Sequence, residues 1–189
     1  SMLADSLNNL AACHEVTGDF QEAAKLYEEC LNVRELLYGT RSLKVAEILQ
    51  NLGLAMDSLG HCRAAKILME SALSIHEDLL AKDSVASSVL LNNYGVLLCH
   101  LGQIELAKDK LQKVVKIRQE DFGLNHYFTQ CAVQNLRYAK NRIEEMPLHK
   151  VCRGVASSDA ITTKTTEMAE EKWEGKNNDN GLQLQKHGY

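Results

Sequence analysis

Proline is nearly missing from this chain: one residue, Pro147, in 189. Aromatic side chains are scarce too, with three phenylalanines and one tryptophan. An all-β sandwich draws on aromatic strands and proline-bearing turns, so that class fits poorly and a mostly helical chain is favoured. No run of 18 apolar residues occurs, so nothing in the sequence reads as a membrane-spanning helix. Nor is there a basic excess. At a formal net charge of -4 the chain lacks the electrostatic footprint of a nucleic-acid binder. The six cysteines, Cys13, Cys30, Cys62, Cys99, Cys131 and Cys152, stand far apart with no C-x-x-C pair, and no secretory segment opens the chain. They read as reduced thiols of an intracellular, cytoplasmic protein. The opening Ser1-Met2 reads as a start within a longer sequence, with upstream repeats or a partner expected to cover the first repeat.

What is abundant is ordinary core material, 45% hydrophobic, and it is arranged with a period. Sliding the sequence by 42 residues aligns Asn9, Asn51, Asn93 and Asn135, and also Gly18, Gly60 and Gly102. The same step aligns Ala23, Ala65 and Ala107, and Val33, Ile75 and Ile117. Within a unit the apolar residues recur at helical spacing. Leu7, Leu10, Ala11 and His14 form one stripe, Gly18-Asp19 breaks it, and Ala23, Tyr27, Cys30 and Leu31 form a second. Each unit is therefore expected to be a helix, a tight turn on a left-handed glycine, and a longer helix. Ala11, Gly53 and Gly95 share a place where a small side chain permits close helix approach. His14 is expected to pack toward the core with a hydrogen-bonded ring.

This pattern resembles the tetratricopeptide repeat. The A-x-x-x-F spacing appears as Ala23 to Tyr27, Ala65 to Met69 and Ala107 to Leu111. The 42-residue unit is most similar to the kinesin-light-chain type, also found in nephrocystin-type proteins. Its L-N-N-L-A opening stands at Leu7-Asn8-Asn9-Leu10-Ala11 and nearly so at Leu91-Asn92-Asn93-Tyr94-Gly95. The usual G-x-x-H-P-x-V-A linker reads Gly39 to Ala46 with Ser42-Leu43 in place of His-Pro, and Tyr127 follows His126 in the third linker. The resemblance implies an all-α, right-handed superhelix of helix-turn-helix units. Repeats are expected at about 3-43, 44-85 and 86-127, with a capping helix at 128-146, making an array over 1-147. Residues 148-189 lose the periodicity and turn to Ser, Thr, Lys, Glu, Asn and Gly, which reads as a disordered tail. Within it, a short helix is expected around Met168 to Trp173.

Side-chain direction then points to a binding surface. On a helix, Asn9 lies about 150° from the Leu7/Ala11 stripe, so it and Asn51, Asn93 and Asn135 are expected to run as a row of amides along the inner helices. An amide carries both donors and an acceptor, which suits it to gripping peptide main chain; similar proteins use groove asparagines this way. Asn8 and Asn92 adjoin the row. The amides can equally satisfy one another across neighbouring helices. One turn along, Ala12, Leu54, Val96 and Tyr138 form an apolar floor. Asp5, Glu15, Glu47 and Asp57 flank it over the first two repeats with no lysine or arginine on that face, so a ligand with basic residues is expected there. His100 falls on the same face and is the histidine to test for pH-dependent binding. A clamp for a terminal carboxylate needs inward cations, and none occurs before Arg142.

Catalytic chemistry finds no foothold. Seven of eleven glycines sit at repeat positions and the other four (Gly154, Gly175, Gly181, Gly188) in the tail, leaving no phosphate-cradling loop. Cys13-His14, His61-Cys62 and Cys99-His100 are sequence neighbours, about 100° apart on a helix, and make poor nucleophile-base pairs. No cofactor, metal or enzymatic activity is expected. The expected role is a scaffold or adaptor that holds an extended partner segment in the groove, with cargo adaptor or ciliary assembly scaffold implied by the resemblance and a cytoskeletal or ciliary location with it. An alternative is the C-terminal sensor array of a larger nucleotide-hydrolysing switch. Self-association through an uncapped first repeat is a further expectation, and Trp173 in its acidic setting is a candidate docking segment. Residues 1-84 carry 7 basic and 13 acidic side chains and residues 85-147 carry 8 and 6, so charge runs from -6 to +2 along the array.

Overall fold

The computed structural model describes residues 2–80 and 84–145, and these form seven helices with no strand among them. They are α1 (Met2–Thr17), α2 (Phe20–Tyr38), α3 (Leu43–Ser58), α4 (Cys62–Leu79), α5 (Val85–His100), α6 (Ile104–Phe122) and α7 (Tyr127–Glu145). The expected tail, with its Met168 to Trp173 helix, Trp173 and Cys152, lies outside the described residues.

The 42-residue step explains each boundary. After α1, α3 and α5 the chain closes the same way: Gly18, Gly60 and Gly102 take φ of 81°, 83° and 71°. The next residue's N–H reaches back to His14, Met56 and Leu98 carbonyls at 2.9, 2.9 and 2.8 Å. That 6→1 bond at a left-handed residue is a Schellman stop, and it satisfies carbonyls the helix end would otherwise orphan. Side chains cap the starts of α2, α3 and α5, where Asp19 Oδ1 accepts from Glu22 N–H, Ser42 Oγ from Val45 N–H and Ser84 Oγ from Ser87 N–H, whereas His61 and Gln103 make no such bond before α4 and α6. Around Gly60 an added Cβ would meet nothing within 4 Å, so Gly60→Ala should cost only the backbone penalty of a left-handed L-residue, about 1 kcal/mol. Chemical denaturation of the variant measures it; a loss above about 3 kcal/mol would mean the turn is packed rather than merely left-handed.

Each odd-numbered helix packs on the one that follows, and each even-numbered helix on the next unit, giving a repeat solenoid of three full units and a terminal helix. Ala4, Ala11, Ala23, Ala46, Ala65, Ala107, Leu68 and Leu111 are buried along this line. Gly53 and Gly95 sit where a partner helix comes closest: a Cβ on Gly95 would lie 2.7 Å from Leu111 Cγ. The terminal helix reverses polarity on its outward face. Where α1 and α3 bury Ala4, Ala11 and Ala46, α7 exposes Gln130 and Arg137. A polar face of this kind is what a capping element needs.

One sequence reading is corrected. Leu10 does not share a face with Ala11: it is 49% exposed while Ala11 is fully buried. Its 42-step counterparts Leu52 and Tyr94 are buried, as are Val45 and Ile48 beside Leu52. This second apolar face is the one that the preceding unit's helix covers in α3 and α5. A single-helix reading merged it with the first, because i, i+3 and i+4 positions of two adjacent faces overlap.

Candidate functional site

The exposed sides of α1, α3, α5 and α7 line up as four stripes one turn apart. Asp5 and Glu47 form an outer edge, continued in α5 by Val89. Next comes the amide row. Asn9 is exposed, and Asn8, Asn51, Asn92, Asn93 and Asn135 are partly so. Then follows the floor of Ala12, Leu54, Val96 and Tyr138, of which Tyr138 is the most open and lies beneath the Arg142 guanidinium, 5.7 Å from its ring centroid. Glu15, Asp57 and His100 lie at the C-terminal ends of α1, α3 and α5 and close the other side.

The amides are partly engaged with each other. Asn51 Nδ2 donates to Asn8 Oδ1 at 3.2 Å, and Asn135 Nδ2 donates to Asn92 Oδ1 at 3.0 Å. Each bond spends one of two amide hydrogens on one side and one acceptor lone pair on the other, so the row retains donors and acceptors toward the groove. These bonds also tie α1 to α3 and α5 to α7. Among the described residues no such bond joins Gln50 to Asn93, the corresponding pair between α3 and α5.

The carboxylates are less bare than the sequence implies, and this is a second correction. Arg34, on α2 and only 3% exposed, reaches from behind: its Nη1 donates to the Lys44 carbonyl and to Glu47 Oε2, both at 2.7 Å, and Nη2 lies 3.5 Å from Asp5 Oδ1. The Tyr27 hydroxyl donates to Glu15 Oε2 at 2.8 Å. Burial, and then that bond, push the Tyr27 phenol well above its ordinary value, so the hydroxyl remains a donor. His100 Nδ1 lies 2.8 Å from Asp57 Oδ2. A search for cations confined to the inner helices misses Arg34 because it belongs to the outer helix of the unit. Lys44 Nζ lies 3.9 Å from the same Glu47 Oε2, so the outer edge is close to charge-balanced and the excess of carboxylates comes from Glu15 and Asp57 on the other side.

The missed signal was in the register. Positions 34, 76 and 118 hold Arg34, His76 and Arg118. Arg118, 6% exposed, repeats the pattern: Nη1 donates to the Phe128 carbonyl at 2.9 Å, two array steps from Lys44, and Nε to Ser88 Oγ at 3.2 Å. Burial holds the Arg118 guanidinium below its usual value without discharging it. Thr129 Oγ1 donates back to the Arg118 carbonyl.

Among the described residues no group of three or more His, Cys, Asp or Glu is placed to hold a metal ion, and no helix is long and apolar enough to cross a membrane. Cys13, Cys30, Cys62, Cys99 and Cys131 are free thiols; burial pushes Cys30 and Cys99 upward, away from the reactive thiolate. His14 lies 3.5 Å from Asp19 Oδ2, partly buried at the first turn.

Residues 2–78 match the tetratricopeptide-repeat family model. No curated protein matches the sequence. Among solved structures, the nearly identical TPR-like repeats of a kinesin light chain candidate from Podosopora anserina superpose with a TM-score of 0.68 at 19% identity, covering 75% of this chain and 68% of that one. BtubC (BKLC) from P. vanneervenii gives 0.59 at 20% identity over 82% and 69% of the two chains. The first TPR of Spaghetti (RPAP3), solved with the HSP90 peptide SRMEEVD, gives 0.56 at 15% identity over 76% and 95%.

Proposed function

We propose, from the premise that this chain is a tetratricopeptide-repeat protein, that its inner helices form a groove for an extended segment of a partner protein. The observation that carries this reading is the amide row beside an apolar floor, repeated on four successive helices at one register. A bound strand exposes a donor and an acceptor per residue, and the amides supply both without regard to sequence. The floor of Leu54, Val96 and Tyr138 selects side chains, and Asp5, Glu15, Glu47 and Asp57, which outnumber the cations beside them, Arg34 and Lys44, favour basic ones over α1 and α3. The Spaghetti array, of the same fold, was solved with a peptide, which supports the same use of the surface here. Its peptide is acidic; this groove offers His100 and Arg142 at the α5–α7 end and carboxylates at the other, so a ligand of mixed charge fits with its basic part over the first two units.

Four amide bonds at about 0.5–1.5 kcal/mol each supply only part of the roughly 8 kcal/mol of a micromolar complex, and the floor must furnish the rest. The scaffold role extends to cargo adaptor or assembly platform according to the partner. Asn9, Asn51 and Asn93 replaced together by alanine should weaken partner-peptide binding by at least about tenfold with helical content retained. Calorimetry with partner-derived peptides and circular dichroism provide the two readouts, and undiminished binding would refute the groove mechanism.

A further inference from the structure

Neighbouring units meet at three seams, and at each a side chain of the outer helix reaches across. At the first, the Arg34 guanidinium clamps the Lys44 carbonyl and Glu47; at the middle one, His76 Nδ1 lies 3.4 Å from Ser87 Oγ. At the third, Arg118 gathers two inner helices at once. Its Nη1 donates to the Phe128 carbonyl of α7 at 2.9 Å, and its Nε and Nη2 donate to Ser88 Oγ and the Ser88 carbonyl of α5 at 3.2 and 3.4 Å. Val89, next to Ser88, is thereby drawn toward the first turn of α7. The first and third clamps sit amid opposite chemistry. Asp5, Lys44 and Glu47 line the outer edge of the groove at the first seam, and the residues two array steps on are Val89, Phe128 and Cys131. Tyr127, one turn before Cys131 on the same face of α7, continues that edge.

This apolar corner is open, yet its rings are held in place. Val89 is 45% exposed, Phe128 51% and Tyr127 73%. The Phe128 ring centroid lies 5.8 Å from that of Tyr127 and 5.4 Å from that of His126, and His126 stacks on Phe122 at 4.7 Å. The Arg118 guanidinium lies over the Phe128 ring, 6.0 Å from its centroid, and the Phe128 N–H donates to His126 Nδ1 at 3.3 Å. Rings fixed in this way give up little freedom when a ligand covers them, which is what a binding anchor requires. The other linkers carry no such cluster. The places of Phe122, His126 and Phe128 hold Tyr38, Ser42 and Lys44 in the first, and Leu80, Ser84 and Ala86 in the second.

We propose that Val89, Tyr127 and Phe128 form an anchor subsite that takes one bulky apolar side chain, leucine or larger, from the extended segment whose basic part lies over α1 and α3. The subsite rests on the groove reading and names a residue its ligand must carry. The corner continues the groove by register, since α7 presents Tyr127, Cys131, Asn135 and Tyr138 along one face and α5 presents Val89, Asn93 and Val96. A strand lying on the amides therefore reaches the corner without leaving the row. Charge sets which part of the strand arrives there. The acids in excess, Glu15 and Asp57, stand in the first two units, and the corner's edge positions hold no carboxylate, so a basic residue is drawn to one half and an apolar one to the other. Spacing follows from the strand itself. Glu15 and Asp57 lie across the amide row from Val89 and Tyr127, and successive strand residues point to opposite sides, so the two ligand residues stand an odd number apart. Two array steps of about 10 Å, at about 3.3 Å per residue, make that number about five or seven.

Selection of a displayed library of random peptides, about twelve residues long, on the full chain tests the subsite. Enriched peptides should pair a lysine or arginine with a leucine, isoleucine, methionine or aromatic residue about five or seven places away. In the tightest of them, made synthetically, changing that apolar residue to alanine should weaken binding to the wild type by about tenfold. Against the double variant Val89→Gln/Tyr127→Ser the same change should cost about twofold or less, because the surface it lay on is gone. Both positions are exposed, and circular dichroism checks that the helices persist. Enriched peptides with no apolar residue or with even spacing overturn the proposal, as does an alanine change that costs as much in the double variant as in the wild type. Failure of the groove reading looks different: the same peptides would bind Asn9/Asn51/Asn93→Ala undiminished. A library that yields no bound peptide refutes both.

Discussion

Replacing Arg34 by alanine is expected to lower stability by about 3 kcal/mol. The side chain starts on α2, is 3% exposed, and ends among acceptors from two other helices: the Lys44 carbonyl, Glu47 and Asp5. Its loss leaves a main-chain carbonyl without its donor, takes the guanidinium from Asp5 and leaves Glu47 with the longer Lys44 contact at 3.9 Å. Both carboxylates are about half exposed and regain water, which keeps the cost at the lower end of the range for a broken buried pair. The loss should be concentrated at the first seam. Exchange protection in α1 and α2 should fall more than in α6, because nearest-neighbour seams carry the stability of a solenoid. Arg34→Lys keeps the charge but has no planar fork to serve carbonyl and carboxylate together, and about half the loss should remain. Urea denaturation that placed Arg34→Ala within about 0.5 kcal/mol of wild type would show the clamp to be ornamental.

Gly95→Val is expected to cost about 3 kcal/mol and Gly95→Ala about 1–2 kcal/mol, although a glycine inside a helix is ordinarily improved by alanine by about 1 kcal/mol. The reversal comes from α6. An added Cβ on Gly95 would stand 2.7 Å from Leu111 Cγ and 2.8 Å from Cδ2, and Leu111 is fully buried with nowhere to retreat. Gly53, at the same register, is a built-in control. There the nearest atom is Met69 Cγ at 3.0 Å, and a methionine with three free torsions yields more readily than a γ-branched leucine. Gly53→Ala should therefore lie within about 1 kcal/mol of wild type, the propensity gain offsetting the displacement. Thermal unfolding of the pair gives the comparison, and equal losses at both glycines would place the constraint in the backbone rather than in the packing.

The sequence made the helices, turns and small-residue contacts readable because these depend on one unit at a time. A left-handed glycine closes Gly18, Gly60 and Gly102 whatever stands beside them, and a 3.6-residue period exposes a buried face. Side chains that cross a seam were harder to see. Leu10 looked like core because it stands at helical spacing from Leu7 and His14, yet of its register only Leu52 and Tyr94 are buried, and only a neighbouring unit decides that. Asp5, Glu47 and Asp57 looked bare because their partners, Arg34 and His100, lie on a different helix in each case. The amide row was placed on the open face, but the bonds from Asn51 to Asn8 and from Asn135 to Asn92 require knowing which atoms of adjacent units fall within reach. Arg34, His76 and Arg118 kept the 42-residue step in plain view. They went unread since a charged residue on an outer helix ordinarily belongs to solvent.

Two of the three seam clamps end on main-chain oxygen, at Lys44 and at Phe128. A carbonyl is supplied by every residue, so the acceptor side of the joint places no demand on which side chain occupies position 44 or 128. The arginine can thus grip whatever unit follows it, provided that unit's first helix begins at the right place. Duplication or exchange of units then needs no matched pair of mutations to rebuild the joint, and the linkers are free to diverge while the spacing of the array is conserved by the backbone alone.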